Sequence, residues 1–564
     1  METKRIILAI VLCVAVLILY QFLFFKKTPV SQPTGSEAIG QAEKARPQAP
    51  LQKEASQSAK QAPESKPEQA AQKVEQVAAL NEELLTVSTS LYKAAWSNKG
   101  GVLRSFKLSQ HRTDKDEELE IVPAFAKDTS IYPFALLDET ETTGKIDMAG
   151  IGSNIYNSSL YKPSAASLIL KDGEKGEIRF AFSDGKDVAV EKIFTFYGGK
   201  YNIDIAINVK RAGKIIEPRL LWGPGIGNPT PEEQKRSFGG GGGISVLASN
   251  NLFRIEERKY KPEQSAFNFV NWASYDDNYF AALFVSGAEN GTAVFLKFDT
   301  DKASYFYLSV GNPRSAFIGP KEYDTLVAFG HNAKKIVRFG FLGFIAEILL
   351  YALKFIYKYV PNWGIAIIIL TFVIKILFFP LTYSSTKSMA KMAELQPKVK
   401  ALRAKYKKAK QDIAQRRQMN EEMMSLYKEH GVNPAGGCLP MLIQFPVLIG
   451  FFNLLRIAIE LRRSPFMLWI KDLSVKDPYY VTPVLMGITQ YISQKMTPTS
   501  ADPQQARMML IMPVLMTFLF MNFQSGLVLY WLTSNVLQIG QQYIMNRMMK
   551  KKKMEASHGK RRKN

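Results

Sequence analysis

The sequence predicts a polytopic α-helical membrane protein with six transmembrane helices, five of them in a core that carries a cytoplasmic helical hairpin, joined to a large all-β sandwich domain outside the membrane. Three observations predict it. Apolar runs long enough for helices that cross a bilayer, at about 1.5 Å per residue and a hydrocarbon core of roughly 30 Å, cluster at the N-terminus and after residue 362. Between them, about 240 residues of short alternating segments are punctuated by Gly, Asn, Asp and Pro. Basic residues gather between and after the C-terminal runs, and bring the chain of 564 residues to a formal net charge of +23. Such an excess marks cytoplasmic loops and contact with anionic lipid or ribosomal RNA rather than DNA, and no zinc finger, basic zipper or RNP motif accompanies it. The two cysteines, Cys13 and Cys438, form no disulfide framework or metal cluster, so redox and cofactor chemistry are not expected.

Residues 1–27 are read as an anchor. Ile6 to Phe25 is apolar, follows Lys4 and Arg5, and ends in Lys26 and Lys27 without a small-x-small cleavage site. Residues 28–80 are rich in Ala, Gln, Glu, Lys, Ser and Pro and cannot bury enough apolar surface to fold, so they form a tether. Residues 81–335 are the β domain. Its clearest strand alternates Tyr201, Ile203, Ile205, Ile207 and Val209 with Asn202, Asp204, Ala206 and Asn208, and Gly198-Gly199 joins it to Lys192–Tyr197 as a hairpin. The glycine run 239–243 lacks the Lys-Ser/Thr of a phosphate loop and is read as a hairpin tip.

Residues 336–361 form an amphipathic helix lying in the membrane interface, with Glu347, Lys354 and Lys358 on one face and Trp363 as an interfacial anchor. Residues 362–547 are the core. Its first span, Trp363–Thr382, holds Lys375 with Thr371 one turn earlier on the same face. A charge there either snorkels to the headgroups or faces a polar concavity, and no acidic residue in the span is present to pair with it. The segment 387–430 carries twelve Lys or Arg against five Asp or Glu and reads as two antiparallel helices broken at Lys410–Asp412. Leu439–Ile459 is a span broken by Pro440 and Pro446, with Gln444 and Asn453 on opposite faces. Val481–Ser493, Met508–Met521 and Leu527–Tyr543 complete the set; Tyr530, Ser534 and Gln538 share one face of the last. Residues 548–564 are a basic tail. With nine basic residues and one acidic from Arg547 to Asn564, and six spans, both ends lie in the cytoplasm.

The run Met423–Pro446, MMSLYKEHGVNPAGGCLPMLIQFP, closely resembles the YidC/Oxa/Alb family of membrane protein insertases, in which Val-Asn-Pro, Gly-Gly-Cys-x-Pro and Ile-Gln-x-Pro recur in this order. Trp363-Gly364, Pro380-Leu381-Thr382, Gln396-Pro397-Lys398, Ser525–Trp531 and Ser534-Asn535 extend the resemblance over the core. The anchor and the β domain, with Trp272, Tyr279-Phe280 and Gly319-Pro320-Lys321, are similar to the Gram-negative YidC branch, which implies an inner-membrane protein with a periplasmic sandwich. The resemblance implies a hydrophilic groove open to cytoplasm and lipid, with one positive residue that falls on Lys375, where many members carry Arg. Gln524 stands where many members have Pro. The expected substrate-binding residues are Lys375, Thr371, Gln444, Ser534 and Gln538 as polar lining, with Tyr530, Trp531 and Phe523 as an apolar slide for the emerging helix. Met508, Met509, Met512 and Met516 fit either an adaptable substrate surface or ordinary packing. Expected partners are nascent membrane proteins, the Sec translocon, ribosomes and targeting factors at the basic hairpin and tail, and anionic lipids.

Rival classes fit the residues less well. A transporter lacks support because the core shows no inverted repeat and has one ionisable residue deep within it. An intramembrane protease lacks a His or Asp pair in the spans, since His111, His331, His430 and His558 all lie elsewhere. A membrane chaperone that holds helices for assembly without inserting them stays open.

Overall fold

The computed structural model describes residues 75–561 apart from 114, 138–147, 228–241, 302, 341, 407–411, 433–438 and 498–502. The anchor, Cys13, Cys438, residues 562–564 and most of the tether fall outside the described residues, and so does the glycine run up to residue 241. The last residues assigned to the tether do not hang loose: Val77 pairs with Ser183, and the Ala79 N–H donates to the Leu160 carbonyl at 3.0 Å.

The alternating segments fold as three sheets, one of ten strands and two of five. The hairpin Val188–Tyr197 and Asn202–Arg211 lies inside the ten-stranded sheet, with Ile203 opposite Phe196 and Val209 opposite Val190. Tyr201, Ile203, Ile205 and Val209 are buried while Asp204, Ala206 and Asn208 are exposed, as period-two alternation requires. Gly199 takes φ +74° at the turn, a conformation that favours glycine. Between the sheets, Trp96 meets Phe194 at 4.4 Å and Phe134 at 4.9 Å, and all three are fully buried. The glycine-run hairpin is corrected. The strand before it, Arg219–Trp222, pairs with Ser304–Gly311, whereas the strand after it, Gly243–Ala248, pairs with Asn251–Glu256 and Val270–Asp276 in another sheet. The two strands that flank the run therefore do not pair with each other, as a hairpin would require.

After the sheets come a short helix α1 (Tyr323–Phe329) and then α2 (Gly343–Tyr359), α3 (Trp363–Leu377), α4 (Phe379–Glu394), α5 (Gln396–Lys405), α6 (Ile413–Glu429), α7 (Leu439–Ile457), α8 (Val481–Met496), α9 (Pro503–Phe520) and α10 (Ser525–Arg561). Among the described residues no single helix is long and apolar enough to cross a membrane by itself; α2 and α3 pass that test together but are bent by 119°. The expected span Trp363–Thr382 is divided: α3 stops at Leu377, Phe378 is the joint, and α4 starts at Phe379 with Pro380 in its first turn, where a residue with no N–H to continue the ladder is tolerated. Residues 387–394 accordingly extend α4 instead of opening the basic hairpin, which consists of α5 and α6. Lys405 and Tyr406 both reach Glu422 across that hairpin, at 2.9 and 2.7 Å, and the Asp412 side chain caps α6 by accepting from Ala414 N–H. In α7 the helix runs through Pro446 unbroken. The tail is not separate, since α10 continues to Arg561.

Trp363 is not an exposed anchor. It is buried and stacks on Tyr357 at 4.2 Å, closing the corner between α2 and α3. Asn362 caps α3 through Ile365 N–H and donates to the Phe466 carbonyl at 2.9 Å. A Cβ at Gly364 would overlap the Phe466 ring. Gly364→Ala is therefore expected to cost about 1–3 kcal/mol by overpacking, read as a lower unfolding midpoint in detergent that Phe466→Leu restores; an unchanged midpoint would show that the corner has slack.

α2 shows two faces: Ala346, Leu349, Leu350 and Leu353 are buried, while Phe344, Ile348, Tyr351, Phe355 and Tyr359 form an exposed apolar stripe. The β domain is tied to this helical region by buried charge. Asp276 at the end of a strand accepts from Lys321 Nζ at 2.9 Å and from Arg338, in the connector to α2, at 3.1 Å. Lys354 of α2 bridges Asp324 of α1 and Glu460 after α7, at 2.9 and 2.7 Å.

Candidate functional site

Six of the eight residues named from the sequence converge on one cavity. α3 contributes Thr371 and Lys375, α7 contributes Gln444, and α10 contributes Tyr530, Ser534 and Gln538. The spacing explains the convergence, because residues four apart on α10 stack on one face and that face turns toward α3 and α7. Ile374, Phe378, Leu381, Thr382 and Val447 complete the lining. The cavity measures about 30 Å³, room for one or two waters rather than for a chain segment.

Its polar groups are connected. Lys375 Nζ donates to Gln538 Oε1 at 3.1 Å, and Gln444 Nε2 donates to Ser534 Oγ at 2.9 Å. The Thr371 hydroxyl is occupied on its own helix, donating to the Ile367 carbonyl at 2.6 Å. Among the described residues no carboxylate pairs with Lys375, so its charge is met by a neutral amide alone. A positive charge in a cavity lined by uncharged side chains and held so weakly attracts an anion strongly, by about 4 kcal/mol for a unit charge 4 Å away at an effective dielectric of 20, before the anion's own desolvation is counted.

The expected apolar slide does not assemble as one surface. Tyr530 is buried and stacks on Phe451 at 4.3 Å. Trp531 turns to α8, donating its indole N–H to Gln490 Oε1 at 3.1 Å, and packs on Phe520, which also meets Phe523 at 5.2 Å. Trp531 and Phe523 therefore belong to an aromatic cluster outside the cavity lining: Trp531 points about 100° away from Tyr530 on α10, and Phe523 lies in the turn before that helix. Asn453 lies buried beside Gly340, on the side of α7 away from the cavity. Met516 packs against the helical core; the side chains of Met508 and Met509 lie outside the described residues.

The turn bearing Gln524 is held without proline. Ser525 donates to the Val475 carbonyl through its N–H at 2.7 Å and its hydroxyl at 2.6 Å, and Gly526 N–H donates to Leu473 at 3.0 Å. Sequence reasoning missed Ile374, Phe378 and Thr382, although they follow Thr371 at three, seven and eleven residues, the period of a helical stripe. A larger cleft of about 630 Å³ lies where the turn Gly199–Asn202 and α1 meet Ile459 and Glu460. Its carboxylates are already engaged: Asp324 and Glu460 share Lys354, and Glu322 accepts from the Thr325 hydroxyl at 2.6 Å.

A family model described as 60Kd inner membrane protein matches residues 355–553, and one described as YidC periplasmic domain matches residues 84–352. The chain is 38% identical to a membrane protein insertase YidC of Syntrophus aciditrophicus (strain SB), over 96% of this chain and 99% of that one. It is likewise 38% identical to a membrane protein insertase YidC of Citrifermentans bemidjiense, over 96% and 99% of the two chains. Among solved structures, it aligns with the crystal structure of an active YidC insertase whose first transmembrane domain is resolved, at 20% identity and a TM-score of 0.37, over 83% of this chain and 95% of that one.

Proposed function

This chain belongs to the YidC family of membrane protein insertases, and from that premise we propose that it inserts nascent inner-membrane proteins by receiving an acidic stretch of the client beside Lys375. The barrier to insertion is the transfer of a short polar segment across lipid while the client's apolar helix stays in lipid. A positive, hydrogen-bonding site partway across replaces part of the water that the segment gives up. The observation that carries this reading is the Lys375 ammonium, which among the described residues is met by the Gln538 amide and by no carboxylate.

The same reading assigns roles to the other residues. Gln444, Ser534 and Gln538 offer hydrogen bonds to the polar segment, and the narrow cavity between α3, α7 and α10 widens as the segment enters. α3, α7, α8, α9 and α10 are the core spans, with the α5–α6 hairpin cytoplasmic and the sandwich periplasmic. The apolar stripe of α2 supports its place at the outer membrane surface. The basic hairpin and the end of α10 engage ribosomes, targeting factors or anionic lipid through charge that added salt weakens, and the Sec translocon joins for larger clients.

Reconstituted in liposomes, the native protein is expected to protect from protease a single-span client with an acidic translocated segment. Lys375→Ala lowers that yield about tenfold, the equivalent of about 1.4 kcal/mol, and Lys375→Arg retains it. Equal yields for native protein and Lys375→Ala would remove Lys375 from the mechanism. A native yield no higher than that of empty liposomes would favour assembly of helices without insertion.

A further inference from the structure

Lys375 is held at two points, not one. Besides the bond from its ammonium to Gln538, its main-chain carbonyl accepts from Gln541 Nε2 at 3.3 Å. Gln538 and Gln541 are three apart on α10 and so project from neighbouring positions on one face. Lys375 sits in the last turn of α3, two residues before the helix stops, where carbonyls run out of partners on their own helix. The N–H four residues on from Lys375 belongs to Phe379, which lies across the joint as the first residue of α4. The side-chain oxygen of Gln541, Oε1, is buried and has no hydrogen-bond partner among the described residues.

We infer that Gln541 is a positioning residue for client insertion: it fastens the broken end of α3 to α10 so that the Lys375 ammonium points into the cavity, and as a neutral amide it does so without quenching that charge. The inference rests on the proposed role of Lys375 as the receiver of an acidic client segment. Gln538 and Gln541 divide the work. Gln538 occupies the ammonium until a client carboxylate displaces it, whereas Gln541 bonds the backbone and stays bonded throughout. A lysine on an unpinned helix end swings with the joint at Phe378, and its charge is then spread over many directions. Glutamine suits the position because the carbonyl needs a donor and the neighbouring ammonium must keep its charge unpaired. Leu would supply no donor. Glu would supply no donor and would add an anion beside Lys375.

The test uses the full-length protein in liposomes and two clients that differ only in carrying Asp or Asn in the translocated segment. The readout is the ratio of protease-protected acidic client to neutral client. Gln541→Leu and Gln541→Glu are both expected to lower this ratio toward the Lys375→Ala value, Leu by about fivefold, as for the loss of one hydrogen bond of about 1 kcal/mol, and Glu by more. Insertion of the neutral client is expected to stay within about twofold of native for Leu, by the same scale. A merely structural role would lower both clients together and leave the ratio unchanged, which overturns the inference. A ratio that collapses in Lys375→Ala but holds in both Gln541 variants overturns this inference alone. A ratio unchanged in Lys375→Ala overturns the reading of Lys375 and this inference with it.

Discussion

Asp276→Ala is expected to lower the stability of the β domain by about 3–5 kcal/mol, the cost of leaving a buried charge unpaired. The Asp276 carboxylate is fully buried, as is the Lys321 ammonium 2.9 Å away, and Arg338 and the Ser245 hydroxyl also donate to it, at 3.1 and 2.7 Å. Burial pushes this carboxyl up, yet Lys321 and Arg338 more than offset that and hold it below the usual carboxylate range. Removing the carboxylate leaves the Lys321 ammonium with the Asp277 main-chain carbonyl, 2.7 Å away, and with the like charge of Arg338 nearby. The domain's unfolding midpoint, followed by tryptophan fluorescence in detergent, should fall. Asp276→Asn combined with Lys321→Met should recover most of the loss, because an apolar replacement has no charge to desolvate. If the single substitution leaves the midpoint in place, the carboxylate is not needed to satisfy the lysine. Because Arg338 belongs to the connector into α2, the same substitution should also loosen the seating of α2, seen as faster proteolysis at residues 337–342.

Raising the pH from about 7 to about 9 is expected to stabilise the native protein relative to Lys192→Met by roughly 2 kcal/mol, from a slope of at most about 1.4 kcal/mol per pH unit. Lys192 is fully buried in the sandwich, where Nζ donates to the carbonyls of Gly100 at 2.6 Å, Phe134 at 2.9 Å and Gly101 at 3.5 Å. Burial lowers its pKa to about 7. The folded value is below the unfolded one, so between the two the unfolded chain binds the proton that the folded chain has released. Stability therefore rises with pH across that window, and the penalty for burying the charge is fully present below about pH 7. Chemical denaturation of both proteins at several pH values checks it. Parallel stability profiles would mean that Lys192 keeps its ordinary pKa inside the fold.

Both residues show how far periodicity reads into a fold. In the strand Val188–Tyr197, alternation places Lys192 on the same inward face as Val190 and Phe194, so its burial follows from its position in the sequence. What meets it there does not, because Gly100 and Phe134 lie 92 and 58 residues away. The expected span Trp363–Thr382 shows the opposite case. Its composition is continuous, but Pro380 leaves a carbonyl without its donor and α3 ends at Leu377. The glycine run 239–243 looked like a local turn because its composition is that of one, while the flanking strands find partners in different sheets.

At the candidate site, Lys375, Thr371, Tyr530, Ser534 and Gln538 were legible because an isolated charge in an apolar run and a spacing of four are properties of one helix at a time. Gln444 came from the resemblance and its motif. Trp531 and Phe523 lie outside the cavity lining, and Gln541 was not singled out, because each depends on which neighbour its segment meets.

By itself the sequence determined the class of the protein, the β domain, the basic segment, the isolated lysine in an apolar run and the family, since these rest on composition, period and motif, which are local. The tertiary structure alone decided that α3 and α4 meet at Phe378, that Lys192 and Asp276 are satisfied by distant groups, and that Lys375 is gripped by two glutamines of α10. The physical reason is range. A hydrogen bond acts over about 3 Å, and which atoms come that close across more than a hundred residues is set by packing rather than by any pattern along the chain.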